Sequence, residues 1–159
     1  MYYEKLRWFS RKKKGLKIDI PNDNLAKEYL SSSEETLGIL QDITGKSNMW
    51  LATTKYYAEY FAVYALLQKI GISSEIHDCT IEVCKMLEEM KIIPLGYSQI
   101  LENDKDLRVD NQYYLKNKQV DIDIPLLREF ILTLKNKVNT ITLDEKISVR
   151  KRIKKILET

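Results

Sequence analysis

Residues 49–70 constrain the fold more than any other stretch of the chain. Trp50, Leu51, Tyr56, Tyr57, Tyr60, Phe61, Tyr64, Leu66 and Leu67 put large apolar surface on nearly every side of one helix. Ala52, Ala58, Ala62 and Ala65 interrupt them and let neighbouring helices approach closely. A helix that is apolar all round belongs at the centre of its domain, or has one side against a second chain. Lys55, Glu59, Gln68 and Lys69 punctuate the run, which marks a buried core helix and not a membrane span. Gly71 follows as its natural stop, since glycine takes the left-handed conformation after a helix at no steric cost.

The rest of the chain is built to surround such a helix. With 5 Gly and 3 Pro in 159 residues, it lacks the punctuation of a turn-rich β protein or a disordered one. Asn22, Asp23 and Asn24 offer caps for a helix over roughly 24–43. Ser47 or Asn48 caps the central helix. A third helix over roughly 79–91 ends before Pro94-Leu95-Gly96, and a fourth begins near Ser98. Residues 124–138 carry Ile124, Leu127, Ile131, Leu134 and Val138 at alternating spacings of three and four, a clean packing seam. Thr142 caps a last amphipathic helix. The segments before Pro21 and Pro125 are expected to be extended, because proline pushes its predecessor away from the helical region. Short connections favour antiparallel neighbours. The expected class is therefore all-α: an up-and-down bundle of four to five antiparallel helices, with an extra C-terminal helix. The expected division is a basic N-terminal extension over 1–21, the bundle over 22–138, and a basic C-terminal helix over 139–159.

Charge is unevenly placed. Residues 1–17 balance to +6 and residues 144–159 to +3, which leaves −6 in the body for a net of +3. Two basic ends on a mildly acidic body suit contact with phosphates, and equally suit plain solvation.

Most motif-like clusters have an ordinary explanation. Gly45-Lys46-Ser47 has the end of a phosphate-binding loop, but Leu40 stands where the first glycine is required and no strand precedes it. An interhelix turn is the better reading. Cys79 and Cys84 form no metal-ligand pattern with the one histidine, His77, so no metal site and no cofactor is expected beyond a possible nucleotide ligand. Asp104, Asp106 and Asp110 lack a calcium-loop glycine and are expected on a solvated helix face. Unpaired thiols, no apolar leader and no membrane-spanning segment fit a reducing cytoplasm.

The order of these features resembles the HEPN family of small helical bundles of archaea and bacteria. Leu25–Leu37 is similar to the family's first long helix. Lys55–Gly71 carries a Tyr-Tyr-Ala box, an Ala-Leu-Leu end and a glycine, and His77 follows in the link. Leu107-Arg-Val-Asp-Asn-Gln-Tyr-Tyr114 resembles the family's later Leu-Arg…Asp-Tyr segment. The resemblance spans residues 22–138 and implies a homodimer. In the family's toxin members an arginine and a histidine separated by four to six residues cut RNA at the dimer cleft without metal. Arg108 matches that arginine, but Tyr113 stands at the histidine position. A phenol with pKa near 10 is a poor general base at neutral pH, so the resemblance implies binding rather than catalysis here. Related non-toxin members bind nucleotides or pair with a minimal nucleotidyltransferase in toxin–antitoxin-like systems.

The expected function is thus a dimeric HEPN-like module that binds a nucleotide or RNA, partners a nucleotidyltransferase-like protein, or both. The alternatives are a metal-independent ribonuclease with a degenerate motif and a non-catalytic RNA-binding scaffold. Arg108, Asn111, Tyr113, Tyr114 and His77 are the candidate ligand-binding residues. Arg108 supplies a permanently charged planar fork for phosphate, or else pairs with Asp104 one turn earlier on the helix surface. On the first reading Arg108→Ala weakens binding while melting stays nearly unchanged. Trp50, Tyr57, Tyr60 and Tyr64 are the candidate dimer interface, because the central helix holds more aromatic surface than a small bundle easily covers.

Overall fold

The computed structural model describes residues 1–159. Seven helices and one minimal ladder follow in the order α1 (Tyr2–Ser10), β1 (Lys17–Ile18), α2 (Asp23–Asp42), α3 (Asn48–Ile70), β2 (Ile72–Ser73), α4 (His77–Glu89), α5 (Tyr97–Gln112), α6 (Ile124–Thr140) and α7 (Leu143–Glu158). The protein is all-α apart from β1 and β2, which pair antiparallel with Ile18 opposite Ile72. No helix is long and apolar enough to cross a membrane.

The apolar run becomes α3 and occupies the centre, packed against α2, α5 and α6. Tyr56, Leu66, Leu67 and Ile70 are fully buried along it. Each such side chain contributes roughly 1.5–3 kcal/mol relative to exposure. The helix starts where Ser47 Oγ accepts the Trp50 amide at 3.3 Å, and ends at Gly71 with φ of 92°. Asn22 caps α2, Asp123 caps α6, and Thr142 with Glu145 forms a reciprocal capping box at α7.

Both terminal segments of the expected division pack onto the bundle. Leu6, Phe9 and Leu16 are buried, and α1 packs on α4 and α7. Leu6, Phe9 and Leu16 thus anchor the basic N-terminal segment to the core, while most of residues 1–21 stays exposed. Val149, Ile153 and Ile156 of α7 belong to the same core. Eight charged residues within 1–17 disguise an amphipathic helix whose apolar side is only Leu6 and Phe9 wide. His77 likewise lies not in a link but at the first position of α4.

Arg150 on α7 holds this junction together. Its Nη1 donates to the carbonyls of Asp19 at 2.7 Å, Gly71 at 2.9 Å and Ile70 at 3.2 Å. Two of these are carbonyls at the end of α3, where no intrahelical donor remains.

Candidate functional site

The site grows from two adjacent tyrosines on α3. Tyr56 is fully buried and Tyr57 half-buried. Arg108, one turn from the end of α5, reaches over both. Its Cζ lies 5.1 Å from the Tyr56 ring centre, 5.4 Å from Tyr57 and 5.7 Å from Tyr113. Each distance is within reach of a cation–π contact. Nη1 donates to the Tyr57 hydroxyl at 3.1 Å.

Arg108 is only 8% exposed, and no carboxylate lies within ion-pair distance of it. The ion pair with Asp104 on the helix surface does not form, because Lys55 takes Asp104 at 3.1 Å. The Arg108 Nε is buried without an acceptor. A guanidinium always carries its charge, so this is a buried cation lacking its anion. Burial also overturns the expectation that Arg108→Ala leaves melting unchanged, since the side chain packs on three aromatic rings.

His77 completes the cluster from a third element. Its Nδ1 lies 2.6 Å from the Tyr56 hydroxyl. The imidazole stacks on Tyr60 with centroids 4.3 Å apart and planes 8° apart. Burial, followed by the positive field of Arg108, lowers its pKa to about 4, so the ring is neutral at pH 7. Asp78 does not orient it, because that carboxylate pairs with Lys105.

The other candidates separate. Tyr113 and Tyr114, expected along the helix, lie past its end and are 63% and 67% exposed. Only Tyr113 approaches Arg108; Tyr114 lies over Lys116 at 5.7 Å. Leu115 follows, exposed and with positive φ. Asn111 is not available to a ligand. Its amide donates to the carbonyls of Asn48 and Lys118 and accepts from the Lys118 amide at 2.8 Å, which pins the 113–118 loop to the start of α3. Neither Tyr60 nor Tyr64 presents much surface, each being 7% exposed within a single chain. Of the four interface candidates, only Trp50, 55% exposed, and the edge of Tyr57 are accessible.

The aspartates are not one solvated face. Asp104 is buried on Lys55, Asp106 sits by Lys105, and Asp110 bridges Lys116 and Lys118. Cys79 and Cys84 are buried, and burial pushes the Cys79 thiol up to about 11 and Cys84 further. Ser47 Oγ is occupied in capping α3. The basic ends, distant in sequence, meet: Arg7, Lys151, Arg152 and Lys155 line one groove of 560 Å³. Only Arg152 has an acidic neighbour, Glu89 at 4.0 Å.

Sequence reasoning placed Arg108, Tyr113 and His77 together but missed Tyr56 and Tyr57 as the floor beneath them. Their signal was two consecutive tyrosines on a helix with no polar side, where one must face each neighbour. No family model, no curated protein and no solved structure matches the chain.

Proposed function

We propose that the chain is a HEPN-like binding module, carried on an up-and-down bundle, that takes a nucleotide or an unpaired RNA base at Arg108. The observation that supports this most is the buried guanidinium with no carboxylate partner and an unused Nε donor. A phosphate oxygen supplies the missing acceptor and the missing charge in one group. Tyr113, exposed and within 5.7 Å of the guanidinium, offers a face on which a base stacks. Lys116 and Lys118, which share the one carboxylate of Asp110, leave one net positive charge on the loop that follows.

The homodimer and the nucleotidyltransferase-like partner belong to the same reading. Trp50 and the Tyr113–Leu115 segment are part of the exposed apolar surface, and the Asn48–Asn117 hydrogen bond of 3.0 Å ties the loop after α5 to the start of α3. A second reading, a metal-independent ribonuclease, draws support from His77. The only imidazole lies in the field of Arg108, although on a different helix from the one the family motif uses. A pKa near 4 leaves it a weak base, and its Nδ1 is already engaged. Binding is therefore the preferred function.

The test is binding of AMP, ATP and short single-stranded RNA to wild type, Arg108→Lys and Tyr113→Ala. Tyr113→Ala is expected to weaken binding by about 1–3 kcal/mol, the scale of one base–aromatic stack, with an unchanged melting temperature. Arg108→Lys is expected to weaken it further, because an ammonium cannot reproduce the planar fork. Binding equal to wild type in both variants rules the site out. RNA cleavage that His77→Gln abolishes replaces binding with the ribonuclease.

A further inference from the structure

A second cavity, lined by none of Arg108, His77 or Tyr113, lies between α3, α5 and α6 and holds 430 Å³. That volume is in the range of small-ligand sites. Its walls are apolar: Tyr97 and Phe130 stack at 4.4 Å, with Ile100, Leu126 and Leu127 around them. Its polar lining includes Glu59, which is 1% exposed and comes from the middle of the central helix. Glu59 Oε1 is buried and has no hydrogen-bond partner. Asp104 lies beside it, held by Lys55 at 3.1 Å. Asp121, Asp123 and Glu129 stand exposed among the lining residues, and none of the three forms an ion pair within the chain.

These features select a ligand class. An unpartnered buried carboxyl oxygen needs a hydrogen-bond donor. Asp121 and Glu129, together with Asp123 whose Oδ1 caps α6, have no cationic partner and attract a cation. Apolar walls need an apolar body. No three acidic, histidine or cysteine groups converge closely enough to hold a metal ion, so the cation is organic. We propose that this cavity binds an ammonium group on an apolar stem, the ammonium donating to Glu59 Oε1 and the stem lying against Tyr97 and Phe130. The ammonium can belong to a free amine or to a lysine side chain of another protein.

Charge balance adds a second readout. Burial and the neighbouring Asp104 hold the Glu59 carboxyl well above the usual carboxylate range, so the empty site carries a proton there. The charged groups facing it are Lys55 on α3, Asp104 on α5, and Asp121, Asp123 and Glu129 among the cavity-lining residues of the α5–α6 connection and α6. An arriving ammonium brings one positive charge, and Glu59 releases its proton to compensate. Affinity therefore rises with pH until Glu59 is ionised in the empty site.

The experiment follows the backbone amides of Tyr97, Ile100 and Phe130 by NMR during titration with three probes: benzylammonium, spermidine and a blocked Gly-Lys-Gly peptide. Wild type is expected to show saturable shifts with at least one probe, tightening as pH rises. Response to the amines assigns a free ligand, and response to the peptide alone assigns a lysine of a partner. Glu59→Gln is expected to bind about tenfold more weakly and without pH dependence. The exposed pair Asp121→Asn with Glu129→Gln leaves the core alone and is expected to weaken binding a few-fold. Absence of any response at millimolar probe overturns the proposal. So does full affinity in Glu59→Gln or, should that variant not fold, full affinity in the exposed pair.

Discussion

The Tyr56 hydroxyl and His77 Nδ1 lie 2.6 Å apart and tie the middle of the central helix to the first residue of α4. The bond is the one hydrogen bond the imidazole makes within the chain, and it is sheltered by Tyr60 stacked on the ring. It makes the neutral form of histidine part of the folded state, with a consequence for acid stability.

The His77 pKa falls from 6.5 to about 4 on folding. Between those values the unfolded chain takes up a proton that the folded chain refuses. The stability is fully present above 6.5 and is lost as pH falls toward 4. With a discount for the partly exposed ring, the loss is about 1–2 kcal/mol. Urea unfolding at neutral and at mildly acidic pH checks this. His77→Gln should remove that component of the slope, and an NMR titration of the imidazole should give a midpoint near 4.

Glu59 imposes the opposite slope. Its folded-state pKa lies above its unfolded value, so the unfolded chain releases a proton that the folded chain keeps. Stability from this group falls as pH rises above about 4.5 toward the raised pKa. Glu59→Gln keeps the shape and supplies an N–H to Asp104 without a charge to bury. Its stability relative to wild type is expected to improve steadily from acid to neutral pH in the same urea series. A constant difference across pH would show that Glu59 is ionised in the fold.

Tyr57→Phe deletes the single hydrogen bond of a buried guanidinium. The expected cost is about 1–3 kcal/mol, that of leaving a buried donor unmade. Thermal melting measures it, and added nucleotide should restore more of the loss in Tyr57→Phe than in an unrelated variant of equal stability.

Gly71 has no room for a side chain. A Cβ there would run into Arg150 Nη1 and the Asp19 carbonyl, and φ of 92° is unfavourable for any other residue. Gly71→Ala should cost at least about 2 kcal/mol. Arg150→Ala forfeits three carbonyl contacts and should also destabilise. The double variant should cost less than the two singles added, because part of the strain in Gly71→Ala is the collision with Arg150.

RNA affinity should depend on salt through the groove where the basic ends meet. Each phosphate contact removed should lower the slope of log affinity against log salt by about 0.7 for single strands. Lys151→Gln with Lys155→Gln is the informative pair, because both lysines lack an acidic partner. An unchanged slope would show that the groove does not meet RNA.

Periodicity and capping made much of the fold legible. The apolar run with Gly71, the seam from Ile124 to Val138 and the caps at Ser47 and Thr142 each pointed to the element that forms. α1 was hidden, because two apolar residues among so many cations carry too little pattern to stand out. For the candidate site, the sequence supplies residue types but not their neighbours. The guanidinium of Arg108 made it a candidate for phosphate on chemistry alone, whereas its lack of an anion depends on Lys55 claiming Asp104 across 49 residues. Asn111 and Glu59 were misjudged or overlooked for the same reason: hydrogen-bond partners distant in sequence decide whether a polar group is available.

The contact of Arg150 with Asp19, Ile70 and Gly71 also sets an order of assembly during synthesis. The central helix and its partners α2 and α5 can collapse as soon as they emerge from the ribosome, but the guanidinium that ties the Asp19, Ile70 and Gly71 carbonyls together is absent until residue 150 is free. Nascent chains halted before α7 should thus hold a helical but loosely closed body, open to protease at the β1–α2 junction. Closure of that junction should mark the last step of folding.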